Sequence, residues 1–252
     1  MYNCLFVISM MLCGSFVQCT SQTTPSAMGN NNKHYTYKIP SADGIGKQYF
    51  GREISQVMGA GGAGWLERTE RDKEENTRLT LDNIPVMPGG VIADIGAGTG
   101  YYSFKLVDKV PGGKVLAVEI QDELIAYLRN RKTALKDTVV KVIKGTENNP
   151  NLPDHSVDLV LMVDVYHELE FPAEMLQAIH RCLTPGGKIL LIEYRGEDPS
   201  VPIKPLHKTT VKQLNQEMGA NGFQLSFKGD FLPLQHFVMY EKIKGAFPPA
   251  NL

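Results

Sequence analysis

The stretch from residue 91 to residue 193 constrains the fold most, because short runs rich in β-branched residues alternate there with segments of helical periodicity. We predict five strands, at 91–95, 115–119, 139–143, 159–163 and 189–193. The intervening segments predict helices at 102–110, 122–131 and 173–182. Strands separated by helices indicate βαβ units, and hence a doubly wound, parallel α/β sheet with helices on both faces.

The region after residue 210 adds a predicted helix at 211–221 and two strands at 223–227 and 237–243. The segment between these two strands is too short for a helical crossover, so we expect the pair to be antiparallel. Together with the five earlier strands they give a mostly parallel, seven-stranded sheet with an antiparallel last strand, which is a Rossmann-like arrangement.

Composition and charge bound the function classes. Of the 252 residues, 42% are apolar and 21% are charged, which is typical of a globular protein with one full core. The formal charge of -1 gives no broad electrostatic reason to bind nucleic acid, so we expect no nucleic-acid partner. Cys182 is the one cysteine beyond residue 19, which excludes an internal disulfide and a cysteine-based zinc cluster in the main domain.

The N-terminus differs from the rest of the chain. The first 32 residues carry no charged side chain, and residues 5–17 form an apolar run of signal-peptide length. This run ends at Cys19 in a sequence that resembles a bacterial lipobox, although Gln18 stands where a small residue is usual. We therefore expect an exported or membrane-tethered protein, with an unprocessed, cytoplasmic one as the alternative. The expected segments are a signal at 1–19, a flexible tether at 20–44, a helical cap at 45–85, the α/β domain at 86–244 and a tail at 245–252.

Two stretches of the expected cap carry their own predictions. Residues 65–75 are densely charged with opposite signs four apart, as in Glu67/Arg71 and Arg71/Glu75, which predicts a solvated helix. Residues 48–52, with two adjacent aromatic side chains, are either a lid over a cleft or part of the core.

A glycine-rich loop follows the first predicted strand of the α/β domain. Between Asp94 and Gly100 the spacing is Asp-x-Gly-x-Gly-x-Gly, and Tyr101 stands where a nicotinamide fingerprint needs glycine. Glycines there let a ligand approach the backbone, while the aspartate favours a cationic ligand over a pyrophosphate. Glu119 ends the second strand, where a carboxylate can accept both hydroxyls of a ribose.

These landmarks resemble those of class I S-adenosylmethionine-dependent methyltransferases, of the small-molecule kind labelled type 11. The resemblance covers 86–242 and includes two further motifs, at 152–160 and 183–187. It implies the Rossmann-like methyltransferase fold and S-adenosylmethionine as cofactor. Transferred position by position, it implies that the methionine part contacts Asp94 and the loop, that Glu119 binds the ribose, that Gln121, Thr146 and Glu147 border the adenine, and that Asp164 faces the methyl donor. The loop positions are Gly96, Ala97, Gly98 and Gly100.

Methyl transfer from a sulfonium needs alignment of the acceptor and a group that takes up its proton. His167, after the fourth strand, is the best-placed base, and a capping histidine is the alternative. Candidate acceptor-binding residues are Tyr166, Arg195, Lys204 and His207, unless the basic ones among them are surface charges.

Two classes of function stay open. The first is a methyltransferase that acts on a small or medium organic acceptor. The second is an exported cofactor-binding or sensing protein that keeps the fold without turnover. No metal ligands are predicted from the sequence. A nicotinamide-dependent dehydrogenase is disfavoured by Tyr101.

Overall fold

The computed structural model describes residue 1 and residues 35–85 and 88–245. All of the secondary structure found in the described residues lies in the unit His34–Leu252. The strands are β1 (Tyr35–Tyr37), β2 (Gly44–Tyr49), β3 (Arg52–Ser55), β4 (Val91–Ile95), β5 (Lys114–Glu119), β6 (Val140–Lys144), β7 (Val157–Val163), β8 (Leu183–Tyr194), β9 (Phe223–Gly229) and β10 (Gln235–Lys242). The helices are α1 (Ala63–Leu66), α2 (Arg71–Glu75), α3 (Thr77–Asn83), α4 (Tyr101–Lys105), α5 (Asp122–Ala134), α6 (Pro172–Cys182) and α7 (Val211–Ala220). Short 3₁₀ turns lie at Ala60–Gly62, Val107–Lys109, Tyr166–Glu168 and Pro205–His207.

The main sheet confirms the predicted fold class. Its seven strands are ordered β6-β5-β4-β7-β8-β10-β9. Strands β4 to β8 pair in parallel, whereas β10 runs antiparallel to both of its neighbours, β8 and β9. The strand order changes direction between β4 and β7, since β5 and β6 lie on one side of this pair and β8 lies on the other. Open α/β sheets bind ligands at such a switch point.

The two faces of the sheet are packed by alternate residues of the same strands. In β8, Ile189 and Leu191 face one core cluster, which includes residues of α6 and α7. Leu190 and Ile192 face the other cluster, which includes residues of α4 and α5. This period of two, with both faces apolar, is why the strands are near-continuous hydrophobic runs.

The segment at 45–85 is not a helical cap throughout. Its first part forms β2 and β3, which join β1 in a three-stranded antiparallel sheet, so residues 35–37 of the expected tether are also a strand. Tyr49 is fully buried and its hydroxyl accepts a hydrogen bond from Asn221 (2.7 Å). Arg52 donates to both carboxylate oxygens of Glu217 in α7 (2.8 and 2.9 Å). Residues 48–52 are therefore anchored against the core, and the lid interpretation is wrong for them.

The charged stretch at 65–75 is not one solvated helix either. It is divided between α1 and α2, and Arg71 and Glu75 are only 4% and 1% exposed. Glu75 accepts hydrogen bonds from Arg68 (2.7 Å), Arg71 (3.0 Å) and the Tyr194 hydroxyl (3.0 Å). A spacing of four pairs two charges equally well on a buried face, and here the partners of Glu75 remove it from solvent.

The predictions for the N-terminal run and Cys19 lie outside the described residues, as does most of the predicted tail. Within the parts of the chain that the structure describes, no helix has the length and apolar character needed to cross a bilayer.

Candidate active site

Two cavities open at the edge of the main sheet where β4, β5, β7 and β8 end. The first, here called the loop cavity, is lined by Gly96, Gly98, Glu119, Gln121, Thr146 and Glu147. The second, here called the histidine cavity, is lined by Trp65, Arg71, His167, Tyr194, Lys204 and His207. Met58, Leu66, Asp164 and Glu168 line both. The two cavities are therefore adjacent.

The glycine loop bends through left-handed backbone, with φ of +70° at Gly96, +57° at Gly98 and +81° at Gly100. A Cβ atom at Gly98 would lie 2.7 Å from Leu66 Cδ1, and one at Gly96 would lie 2.6 Å from the side chain of Val165. These two glycines thus keep the backbone open to the loop cavity.

Two predicted loop residues face elsewhere. A Cβ atom at Gly100 would meet Leu128 and Phe104 at 2.7 Å, so this glycine serves the packing at the start of α4. Ala97 lines a smaller neighbouring cavity instead of the loop cavity. The predicted contacts of Gly100 and Ala97 with a cofactor are therefore corrected. Successive residues of a tight turn point in different directions, so they cannot all face the loop cavity.

Asp94 also lies behind the loop. It is buried, accepts a hydrogen bond from the Ser103 hydroxyl (2.5 Å) and lines the same smaller cavity as Arg71. Burial raises the pKa of Asp94 to about 6, against the lowering effects of the Ser103 bond and the Arg71 charge. Asp94 therefore does not line the loop cavity. Its carboxyl lies on the other side of the glycine loop, where it is bonded to Ser103 in α4.

Glu119 connects the loop with the end of β5. One carboxylate oxygen accepts the Gly98 N–H (2.9 Å), and the other accepts the N–H groups of Ile120 (2.8 Å) and Gln121 (3.0 Å). The Gln121 side chain donates to the Met58 carbonyl (3.0 Å). Glu119 and Gln121 both line the loop cavity.

The two residues predicted after the third strand of the α/β domain reach the same cavity. Thr146 and Glu147 line it from the turn that follows β6. The Thr146 N–H donates to the Asn149 carbonyl (2.8 Å), which closes this turn. The turn therefore presents both side chains at the edge of the cavity.

Asp164 stands between the two cavities in strained backbone. Its φ is +53°, which is uncommon for a residue other than glycine and concentrates at functional sites. One oxygen, Oδ2, accepts from Gln235 (2.8 Å), whereas Oδ1 is buried and has no hydrogen-bond partner among the described residues. Burial, and then the negative charges of Glu75 and Glu193, raise the pKa of Asp164 well above its ordinary value.

His167 lies in a chain of polar contacts. It is 2% exposed, and its Nδ1 is 2.6 Å from Oε2 of Glu193, at the end of β8. The other oxygen of Glu193 accepts the N–H groups of Val165 (3.0 Å) and Tyr166 (2.8 Å), which fixes the carboxylate. On the opposite side of the ring, Nε2 lies 3.1 Å from Nδ1 of His207. Sequence reasoning placed Glu193 at the end of a predicted strand, at the edge expected to bind ligands, but assigned it no role.

His207 is held by acidic groups from two other segments. Its Nδ1 lies 3.5 Å from Glu168 Oε1, and its Nε2 lies 2.9 Å from Asp43 Oδ2. Asp43 also accepts from the Lys204 ammonium (2.7 Å). The bond with Glu168 and the charge of Asp43 raise the pKa of His207, and burial opposes them. Lys204 and His207 thus both line the histidine cavity.

Tyr166 and Arg195 do not reach either cavity among the described lining residues. Tyr166 is fully buried and its hydroxyl donates to Glu217 (2.8 Å). Arg195 donates to the carbonyl oxygens of Gln235 (3.1 Å) and Leu232 (2.8 Å). Both predicted acceptor contacts are therefore corrected, because Tyr166 is bonded to helix α7 and Arg195 to backbone carbonyls at and before the start of β10.

The sheet order and the glycine loop define a Rossmann-like methyltransferase fold, and comparisons with known proteins agree. The profile of the methyltransferase domain, type 11, matches residues 93–191. An uncharacterized methyltransferase of Mycobacterium tuberculosis is 37% identical over 101 residues, which are 40% of this chain and 38% of that protein. A malonyl-[acyl-carrier protein] O-methyltransferase of Methylococcus capsulatus is 26% identical over 196 residues, 73% of this chain and 69% of that one.

The crystal structure of an S-adenosylmethionine-dependent methyltransferase from Aquifex aeolicus superimposes with a TM-score of 0.67 at 22% identity, covering 73% of this chain and 99% of that one. The chain spans 38% of the length of the mycobacterial relative that it matches. Residues 93–191 thus match the type 11 methyltransferase domain, and the fold is that of S-adenosylmethionine-dependent methyltransferases, as the resemblance implied.

Proposed function

We propose that this protein transfers a methyl group from S-adenosylmethionine to a small organic acceptor. The observation that carries the proposal is the adjacency of the two cavities, which share Asp164 and Glu168. Direct displacement requires donor and acceptor to lie side by side in one site, and a cofactor in the loop cavity would adjoin an acceptor in the histidine cavity.

The residues of the loop cavity fit this cofactor. Gly96 and Gly98 allow close approach to the backbone. Glu119 accepts three backbone N–H groups, which leaves about one of its roughly four acceptor sites for a ribose hydroxyl. The unpartnered Oδ1 of Asp164 suits a cationic group. The apolar part of the lining suits an adenine ring, and consists of Ile95, Val118, Ile120 and Leu124. S-Adenosylmethionine supplies, when bound, an electrophilic methyl group on a positively charged sulfur.

The histidine cavity is the proposed acceptor site. It has a volume of about 350 Å³ and adjoins the loop cavity. Trp65 and Ile203 give it apolar surface, and Lys204 gives it a cation at the rim. This combination suits an organic molecule with an acidic group.

His167 is the proposed proton acceptor. Glu193 lies within hydrogen-bond distance of Nδ1 and so favours the proton on that nitrogen, which leaves Nε2 as the basic atom. Because Nε2 lies 3.1 Å from His207 Nδ1, a proton taken up there can be shared between the two rings. Asp43 stabilises the positive charge on His207 from the far side.

The test uses the full-length protein with methyl-labelled S-adenosylmethionine and a fractionated small-molecule extract. We expect labelled product together with stoichiometric S-adenosylhomocysteine. Cofactor binding without either product would instead support the cofactor-binding or sensing alternative.

Variants assign the chemistry. His167→Ala should lower kcat by roughly 10²–10⁴, the range for a general base, with little change in cofactor affinity. His155→Ala, which removes an exposed histidine, is the matched control and should leave kcat unchanged. An equal loss of stability and kcat in His167→Ala would contradict the assignment of a base and support the capping alternative.

A further inference from the structure

Three potential metal-ligand atoms converge at the rim of the histidine cavity. They are Nε2 of His167, Oε1 of Glu168 and Nδ1 of His207, all within 4.8 Å of one another. The two nitrogens are 3.1 Å apart, and Glu168 Oε1 lies 3.5 Å from the His207 nitrogen and 3.7 Å from the His167 nitrogen. All three residues line the cavity, so the triangle they form borders the space proposed for the acceptor.

Each ligand side chain is held through its other polar atom. Glu193 lies 2.6 Å from Nδ1 of His167, and Asp43 lies 2.9 Å from Nε2 of His207. The second oxygen of Glu168 accepts the Met58 N–H (3.2 Å). Carboxylates that fix the outer nitrogen of a histidine are the usual second layer of a metal site.

This second layer determines what faces the triangle. Glu193 favours a proton on Nδ1 of His167, so this ring turns the lone pair of its Nε2 inward. The ring of His207 has a carboxylate beside each nitrogen, Asp43 at Nε2 and Glu168 at Nδ1, so either nitrogen can carry its proton. When the proton of His207 is on Nε2, two lone pairs face each other 3.1 Å apart beside a carboxylate oxygen, and a cation among them removes their repulsion. A proton can bridge only two of these three atoms, whereas a metal ion can be bound by all three lone pairs at once.

The dimensions also fit. Ligand atoms about 2.0–2.2 Å from a tetrahedral zinc ion lie about 3.3–3.5 Å from one another. The three observed separations, 3.1, 3.5 and 3.7 Å, bracket that value. Two imidazoles and one carboxylate favour a zinc-type transition metal over calcium or magnesium, which prefer oxygen ligands alone.

We propose that His167, Glu168 and His207 bind one divalent transition-metal ion of the zinc type, with its fourth position open to the histidine cavity. Metal binding displaces the proton shared by the two rings, so it weakens as the pH falls. A hydroxyl or thiol acceptor in the fourth position is then held as its anion, with its proton released to water, and in the metal-bound protein this replaces the proton uptake by Nε2 of His167. The metal site itself does not depend on the proposed methyl transfer.

The test is direct metal binding, without any turnover. The full-length protein, with Cys4, Cys13 and Cys19 changed to serine so that their thiols cannot bind metal, is stripped with a chelator. It is then titrated with Zn²⁺ by calorimetry and with Co²⁺ by visible absorption. We expect one ion per chain and the absorption bands of tetrahedral cobalt.

Matched variants locate the ion. His207→Ala should weaken Zn²⁺ binding by at least about 100-fold, and Asp43→Asn, which keeps all three ligands, by about 10–100-fold. His155→Ala should bind as the parent does, since it removes only an exposed histidine. Thermal melting of each variant checks that the fold is retained, and Glu168→Gln replaces His207→Ala if the latter does not fold.

The proposal is overturned if the stripped protein binds no Zn²⁺, if folded His207→Ala or Glu168→Gln binds as tightly as the parent, or if His155→Ala loses binding to the same extent. None of these measurements involves methyl transfer, so the metal-binding result stays valid even if the proposed methyltransferase activity is not found. Conversely, an absence of metal leaves the proton-sharing pair of the proposed function in place.

Discussion

Asp94→Asn tests the buried carboxyl beneath the glycine loop. The substitution keeps the size of the side chain and an oxygen that can accept from Ser103, but it removes the ionisable group. Burial raises the pKa of Asp94 from 3.8 to about 6, so the folded protein resists its ionisation.

The sign follows from linkage. Below the unfolded pKa of 3.8 the carboxyl is protonated in both states and costs nothing, and above the folded pKa of about 6 the cost of the buried charge is complete. A pKa moved from 3.8 to about 6 corresponds to about 3 kcal/mol of lost stability. The variant, neutral at every pH, should therefore gain about 2–3 kcal/mol relative to the parent between about pH 4 and about pH 7.5.

The assay is urea unfolding of both proteins across this pH range. The change in their difference is the relevant quantity, because any constant cost of the buried amide cancels from it. Asp108→Asn, at an exposed carboxylate, is the control and should show a much flatter difference. A difference between Asp94→Asn and the parent that does not change with pH, or that changes in the opposite direction, would refute the burial argument.

Four further predictions concern binding and location. Glu119→Ala should weaken S-adenosylmethionine binding by about 1–3 kcal/mol by calorimetry, and wild-type affinity would remove the ribose assignment. Gly98→Val, which introduces a side chain against Leu66 at φ +57°, should abolish measurable cofactor binding, and retained affinity would refute the close-approach argument. Lys204→Ala should raise the KM for the acceptor with little change in kcat, whereas an unchanged KM would make Lys204 a surface charge. The N-terminal expectation is checked by the intact mass of the native protein. A processed start is the expected result, either lipidated at Cys19, which Cys19→Ala prevents, or downstream after ordinary signal cleavage, and an unprocessed chain contradicts it.

The sequence by itself determined the main sheet and the loop that serves it. Strands buried on both faces are short apolar runs, and their pattern is local, so β4 to β8 and the antiparallel last pair were predictable. The loop from Asp94 to Gly100 was predictable for the same reason, since its chemistry depends on residues adjacent in the chain. Its orientation was less so: which of its residues face the cavity depends on Leu66, Val165 and α4 packing around it.

Tertiary structure decided the contacts between distant segments. Arg71 and Glu75 have the spacing of a surface pair, but Tyr194, more than a hundred residues later, covers them. His167 was visible as a candidate, whereas its contacts with Glu193, His207 and, through the latter, Asp43 join four separate segments. Charged and polar side chains have long reach and no periodic signature, so their partners are set by how the strands and loops are packed. The glycine loop and the sheet follow from local pattern, and the polar centre beside them follows from the fold alone.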